Sequence, residues 1–516
     1  VTALVRRHLA VTLVATCVTA WFSYAYFHND EYFQVIELTR AKLGDVDPRV
    51  LPWEHAQRMR PWLQPFLYWL VARPLWGAGV RDVFVLAFVF RLLTGLANVS
   101  ALALFLRTTL PWMRTEEERR AHVRVVTLLG FLPYLFVRTS SETGSMGALT
   151  AAFALLLEGA APVDGSRWSV PALARPGRAA LAGLLFGVAF ELRFQTALVA
   201  LGVLAWAWRV GEAALRALAC VAAGGVLALA AGVLVDRWGY GEWTFPAITY
   251  FQANVLDGVA GSFGSDPPFA YLWMLPANLF SPVVIAMIAL AVLAWARCPR
   301  HPVTWATLPF ALVHDLIAHK EERFLFPIAV LSTALVTMAI GPSFDGGPGR
   351  RVTARVAAWA WARRRRWPGK LLAGWSAAGM LLLALVPLGW NHNVRFMRFV
   401  HDAIGEELHA TALPEIDLSL PAFHPRVYDV DKADPAEIVR RLHAGTARRW
   451  LIADRPILRT GTALDARARL VYSELPLSRD ERARARLMRL VDAYNAHAPP
   501  PLRRLRFRSL YELGAD

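Results

Sequence analysis

Two short stretches concentrate the ionisable residues of this chain. The first, His28-Asn29-Asp30-Glu31, sets two adjacent carboxylates beside an imidazole, directly after an apolar run. Adjacent, half-desolvated carboxylates perturb one another's proton affinity, which suits a general base. The same residues also suit a helix start, with Asn29 or Asp30 as cap and Glu31 favoured by the helix dipole; the two roles are compatible. The second stretch, His319-Lys320-Glu321-Glu322-Arg323, packs five consecutive ionisable residues between apolar segments. A plain interface anchor would be a lone Lys or Arg snorkelling to water. This mixture instead suits an anion site, with His319, Lys320 and Arg323 on a phosphate and a carboxylate to orient them.

Three further clusters adjoin apolar runs: Arg138-Thr139-Ser140-Ser141-Glu142, Glu191-Leu192-Arg193-Phe194-Gln195, and Asp236-Arg237-Trp238-Gly239-Tyr240-Gly241-Glu242-Trp243. Ionisable groups at a membrane boundary are functional or paired with each other, and both readings apply to the first two. In the third, glycines permit tight turns. Its aromatics make a platform for a sugar ring or, the favoured reading, an interfacial belt. No zinc-ligand spacing, Gly-rich phosphate loop or GxSxG elbow occurs, so hydrolytic and nucleotide-driven chemistry lack support and no metal site is assigned. Cys17, Cys220 and Cys298 lie in or beside apolar runs without CxxC spacing, and read as small core- or lipid-facing residues.

The elements that must position these clusters are membrane spans. The 516-residue chain is 56% hydrophobic, with 20 Trp and 27 Phe. Several apolar runs reach the roughly 20 residues that a bilayer-crossing helix needs. Spans are predicted at roughly 9–27, 83–106, 123–137, 145–161, 179–191, 195–210, 215–235, 270–296, 303–318, 324–341 and 371–390. The net charge of +16 would suit nucleic acid, but the basic residues gather between apolar runs, where cytoplasmic loops lie. Nucleic acid is therefore rejected as a partner, and the bilayer takes its place.

Arg6 and Arg7 put the start of the first, uncleaved span inside. The segment 350–370, with Arg363, Arg364, Arg365 and Arg366, is the strongest cytoplasmic signal, and about eleven alternating spans bring it inside as well. Loops 28–82, 138–144, 192–194, 236–269, 319–323 and everything after 391 then face outward and contain nearly every unusual cluster; 107–122 and 162–178 read as basic inside connectors. Within the first outer loop, Asp30 to Leu43 is predicted as a helix at the membrane surface, and Pro61 to Gly77 as a second interfacial or re-entrant helix. Residues 391–516 differ in character, with the strand-like run Trp450-Leu451-Ile452-Ala453 and helical patterns near 435–444 and 478–496. The division is thus a multi-span domain over 1–390 and a small α/β domain over 391–516.

The motifs resemble those of glycosyltransferase family 22, which holds the Alg9-like and GPI mannosyltransferases. His28-Asn29-Asp30-Glu31-Tyr32-Phe33-Gln34 followed by Glu37 is similar to that family's HPDE-[YF]-FQ-x-x-E opening, with Asn29 in place of the usual Pro. His319-Lys320-Glu321-Glu322-Arg323-Phe324-Leu325-Phe326-Pro327 is similar to its HKEERFL-[FY]-P run, a long and specific match. Trp53-Glu54, Arg138-Thr139 with Glu142, and Asp236-Arg237 with Tyr240-Gly241 and Trp243-Thr244 follow in the family's order. Ser140-Ser141 and Arg193-Phe194-Gln195-Thr196 depart from the pattern, and 264–269 lacks the aromatic-His run often found there. The likeness covers roughly 9–341; residues beyond 391 carry no assignable motif.

The resemblance implies a C-type glycosyltransferase fold, a polyprenyl-phosphate sugar donor, typically mannose, and inversion at the anomeric carbon. It implies Asp30 as base, with Glu31 as alternative or orienting partner, and His319, Lys320 and Arg323 on the donor phosphate. His28, Gln34, Glu37, Glu54, Arg138, Glu142, Arg193, Asp236, Arg237, Glu321 and Glu322 take supporting places. A phosphate leaving group needs no general acid, so one carboxylate suffices. No cofactor is expected beyond the lipid-linked donor, and the acceptor is a glycan or glycolipid. The Ala/Arg/Gly/Leu bias points to a bacterial cytoplasmic membrane with the site facing out; in a eukaryote it would be the endoplasmic reticulum. The competing reading is a transporter or flippase of lipid-linked sugars. It would carry mid-span charges and inverted repeats, whereas here the charges gather at one face and no repeat is detected.

Overall fold

The structure, a computed structural model, describes residues 1–163, 167–279, 282–344, 350–364, 367–385, 393–416, 421–458, 460–474, 481–497 and 507–514. The chain forms two compact units: Val1–Tyr24 with Phe33–Leu388, and Ala25–Tyr32 with Gly389–Asp516.

The first unit is helical. Among the described residues, Thr2–Phe22, Val83–Trp112, Leu215–Tyr240 and Glu322–Ile340 are long and apolar enough to cross a membrane, and Pro282–Arg297 and Gly369–Leu385 are shorter apolar helices. In lipid every polar group must be satisfied internally. Thr12, Thr16 and Thr19 in the first helix do this by donating to the carbonyls of His8, Thr12 and Ala15, one turn back. Its last carbonyls are met by buried guanidiniums: Arg91 Nε donates to Ala20 O at 2.9 Å, and Arg138 Nη2 to Ser23 O at 2.9 Å. A cation at a helix C-terminus also complements the dipole.

Close packing elsewhere depends on missing side chains. Helices Pro176–Leu192 and Leu215–Tyr240 approach so nearly that a Cβ on Gly183 would lie 1.9 Å from Val221 O, and one on Gly224 1.9 Å from Ala180 O. Small residues four apart, here Gly183 and Gly187, are what lets membrane helices meet backbone to backbone.

The expected span 123–137 is not one helix. Helix Glu116–Leu128 stops, and Leu132–Phe136 restarts with a Pro in its first turn. At the break, Gly130 N–H donates to Ser376 Oγ at 2.7 Å and leaves no room for a Cβ against Ser376 O. Stretch 270–296 holds two helices, Tyr271–Leu279 and Pro282–Arg297. Residues 386–390 of the last expected span and Arg365 and Arg366 of the arginine run lie outside the described residues. Pro61 to Gly77 is helical from Leu63 for 15 residues, about 22 Å at 1.5 Å per residue, short of a bilayer core.

The second unit is the α/β element expected from sequence. Its five-stranded sheet runs Val427–Lys432, Glu407–Ala412, Trp450–Ala453, Ser509–Leu513, Ala468–Ser473. The first three strands are mutually parallel, and the last two join antiparallel. Leu451, Ile452 and Ala453 of the central strand are buried, as a strand covered on both faces requires. Helix Pro435–His443 supplies the crossover between two parallel strands and is capped by Asp434, which accepts from Glu437 N.

Two outcomes follow from these contacts. Gly224→Ala is expected to lower stability in detergent by about 1–3 kcal/mol, while Gly225→Ala, whose Cβ would stand 3.7 Å from the nearest atom, should be neutral or gain up to ~1 kcal/mol of helix propensity; thermal unfolding separates them. In the second unit, burial pushes the Glu474 carboxyl up to about 8, against the counter-pull of the Arg508 N–H it accepts. The folded state therefore holds a proton that the unfolded state releases near 4.5. The stability is full below that pH and is lost as pH rises toward 8 and beyond, on the order of a few kcal/mol. Hydrogen-exchange protection of Ser509–Leu513, corrected for intrinsic rates, should fall from pH 5 to 9 in the wild type and much less in Glu474→Gln.

Candidate active site

The loop of the first motif belongs to the second unit. Glu31 is 2% exposed, and its Oε1 accepts from the backbone N–H of Phe27 at 2.6 Å and of His28 at 3.3 Å. That carboxylate folds the loop onto itself. Asp30 keeps a side chain that is 21% exposed, and it lies 3.4 Å from His28 Nδ1, which also accepts from Asp30 N–H. Tyr32 is fully buried and packs its ring 4.7 Å from that of Phe423, which fastens the loop to the α/β unit. Burial beside Tyr32 and Glu31 pushes the Tyr26 hydroxyl up, so it stays protonated.

The second motif lies in the first unit and meets two of the other clusters. Glu142, in the first turn of helix Ser141–Leu156 where the dipole favours an anion, has a side chain 1% exposed. Its Oε1 is 3.2 Å from Arg193 Nη2 and 3.5 Å from Arg323 Nη1. Arg193 leaves helix Pro176–Leu192 in extended conformation. Both guanidiniums lie over Phe324, at 5.2 and 5.5 Å. Arg323 Nε bonds Glu321 Oε2 at 2.5 Å, and His319 Nε2 is 3.0 Å from Glu321 Oε1. His319 Nδ1 is buried without a partner. Two guanidiniums thus face two carboxylates, with an imidazole at the edge.

Lys320 points elsewhere. Its Nζ donates to Ile317 O at 2.7 Å and Asp266 O at 3.1 Å, and the residue is 3% exposed. Asp266 N–H in turn donates to Ala318 O, and Asp315 accepts from Phe269 N–H. Lys320 therefore pins the loop before helix Tyr271–Leu279 to the motif. Glu322 is buried beside it.

The remaining predicted residues fall into separate roles. Glu54 joins Gln34 Nε2 at 2.7 Å to Arg60 Nη2 at 2.6 Å. Glu37 is fully buried in helix Glu37–Leu43. Asp236 accepts from Trp62 N–H at 2.7 Å and so holds the start of helix Leu63–Gly77. Arg138 secures the end of the first helix. Arg237 lies over Trp243 at 4.8 Å. The aromatic loop Asp236–Trp243 makes a cluster in which Lys42 Nζ sits 5.1 and 4.9 Å from the Trp62 and Trp238 rings, and burial pushes Lys42 down. Burial, with Lys42 and Arg58 adding, also holds His55 below the usual imidazole value, so it stacks neutral on Tyr240 at 5.2 Å.

Arg60, Gln64, Arg91 and Tyr250 join these groups without having been singled out. Arg91 had a signal, an ionisable residue inside a predicted span. Gln64 had none, because its role comes from partners distant in sequence.

A multi-span helical domain with guanidiniums and carboxylates buried at helix ends, joined to an α/β unit whose loop displays an accessible carboxylate, defines a polytopic membrane protein built around polar loops. Residues 8–411 match the Alg9-like mannosyltransferase family, and the chain belongs to that family. It is 26% identical over 310 residues to GPI alpha-1,2-mannosyltransferase 3 of Mus musculus, covering 58% of this chain and 53% of that one. It is 23% identical over 388 residues to GPI mannosyltransferase 3 of Gibberella zeae, covering 65% and 60%. The chain thus spans a little over half the length of these relatives. Among solved structures it is similar to ArnT from Cupriavidus metallidurans in the apo state, with TM-score 0.49 and 14% identity over 99% of this chain and 98% of that one.

The Glu142 junction makes a stability prediction. Glu142→Met leaves two buried guanidiniums short of a counter-charge and should cost about 3–5 kcal/mol. Glu142→Met with Arg193→Met should recover part of it, since a matched apolar pair replaces a broken ionic one. Thermal unfolding of the two variants in detergent gives the comparison.

Proposed function

We propose that this chain transfers a mannosyl residue, with inversion, from a polyprenyl-phosphate donor to a hydroxyl of a glycan or glycolipid acceptor on the non-cytoplasmic face of its membrane. The family match and the relatives named as GPI mannosyltransferases support the reaction class. The charge asymmetry of the loops supports the face. The observation that carries the mechanism is the unequal use of the two motif carboxylates: Glu31 is spent on backbone N–H groups, and Asp30 beside it stays accessible.

Asp30 takes the proton of the acceptor hydroxyl as its oxygen attacks the anomeric carbon. The bond from that carbon to the phosphate oxygen breaks on the opposite face, and its electron pair leaves with polyprenyl phosphate. His319 and Arg323 stabilise the charge that develops there. Lys320, with two of its three N–H donors on carbonyls, adds its charge from behind and fixes the loop. Arg193 and Glu142 keep Arg323 oriented. The leaving group is already an anion of a strong acid, so the design calls for one base.

Purified protein is expected to consume polyprenyl-phosphate mannose in the presence of glycolipid acceptors. Asp30→Asn should lower turnover by about 10²-fold or more while donor binding persists, and Arg323→Ala should raise the donor KM and lower kcat. A wild type that leaves the donor chemically intact with every acceptor pool, yet moves it across vesicle membranes, overturns the reading in favour of a flippase.

A further inference from the structure

Phe423 breaks a local rule in the α/β unit. Its backbone has a φ of 58°, in the left-handed region that glycine enters freely and a bulky side chain rarely does. The residue stands in a turn with Ala422, in the connection between strands Glu407–Ala412 and Val427–Lys432. Every residue from Pro421 to Pro425 is buried. His424 Nδ1 donates to Pro425 O at 2.9 Å, and the two prolines restrict the backbone at both ends of the turn. A strained conformation of this kind persists where its surroundings over-determine it. Glycine would make the same turn without strain; what it lacks is the ring.

Phe423 is 2% exposed, and its ring stands 4.7 Å from that of the fully buried Tyr32, inclined at 51°. Tyr32 closes the turn that carries Asp30. Its N–H donates to Asn29 O at 3.0 Å, and Glu31 N–H donates to His28 O at 3.0 Å. Asp30 thus lies inside both closures, and its own N–H donates to His28 Nδ1 at 3.2 Å. Together with the Glu31 carboxylate on the N–H groups of Phe27 and His28, these bonds set the shape of the turn. They join residues 27–32 to one another, so by themselves they leave its direction open. The ring contact supplies what they lack, because it ties the turn to a segment far along the chain.

We propose that Phe423 is a positioning residue for the transfer reaction: the left-handed turn holds out its ring, the ring fixes Tyr32, and the turn closed by Tyr32 aims the Asp30 carboxylate. The inference deepens the assignment of Asp30 as base and rests on it. A base must meet the proton it takes at hydrogen-bond distance, and a misplacement of about 1 Å costs on the order of 10²-fold in rate. Phe423 acts through Tyr32 and not on the donor, so loss of its ring slows the chemical step and leaves donor affinity as it is.

The test uses the full chain in detergent with polyprenyl-phosphate mannose and a glycolipid acceptor, and rates are normalised to folded protein. Phe423→Met keeps apolar volume without a ring, Phe423→Gly also relieves the backbone, and Phe423→Tyr keeps the ring. Phe423→Met and Phe423→Gly should lower kcat by about 10- to 100-fold with the donor KM within about twofold of wild type, and Phe423→Tyr should restore kcat. Phe423→Met keeps the test readable if Phe423→Gly fails to fold. Tyr32→Leu should lower kcat as much, and combining it with Phe423→Met should add no more than about threefold, because the two rings act as one unit. Amide exchange at Phe27 and His28, the N–H groups that Glu31 holds, should quicken about tenfold in Phe423→Met while Trp450–Ala453 is unchanged. Wild-type kcat per folded molecule in Phe423→Met or Phe423→Gly, with or without a fall in thermal stability, overturns the proposal. If wild type transfers nothing, the transferase reading falls by itself. The exchange measurement then still decides the clamp: quickening at Phe27 and His28 supports it, and exchange equal to wild type overturns it.

Discussion

The first unit turns on one buried carboxylate. Glu142 accepts guanidiniums from two segments that are far apart in sequence, Arg193 at the end of one helix and Arg323 in the second motif. An unpaired charge of either sign at that depth would be prohibitive, so the three residues settle together or not at all. Once they do, the ends of three elements are fixed, and Arg323 is held where Glu321 and then His319 can reach it.

The carboxylates of the loops divide by task. Glu31, Glu54, Glu142 and Asp236 each hold backbone or cations, and each is at a place where a loop must keep one conformation. Asp30, unlike the buried Glu31, keeps a side chain that is 21% exposed. Its position is nevertheless controlled from both sides along the chain. Upstream, Arg91 and Arg138 secure the last carbonyls of the first helix, and downstream Tyr32 is wedged against Phe423. The α/β unit therefore carries the motif loop, through a ring contact within that unit.

The two motifs were legible because they are runs of ionisable residues that a membrane protein would not keep without pairing or chemistry. The α/β unit was legible from the Trp450–Ala453 run, an apolar strand too short to be a span. Three things were not legible, for different reasons. The break at Gly130 depends on Ser376, 246 residues away, whose hydroxyl accepts from Gly130 N–H and whose carbonyl leaves no room for a side chain there. Lys320 looked like its neighbours His319 and Arg323, but the direction of a flexible ammonium is set by carbonyls that only the folded loop presents. Gln64 carries no charge and no motif, and its bonds to Thr139 O and Tyr68 Oη come from partners that only the fold brings near.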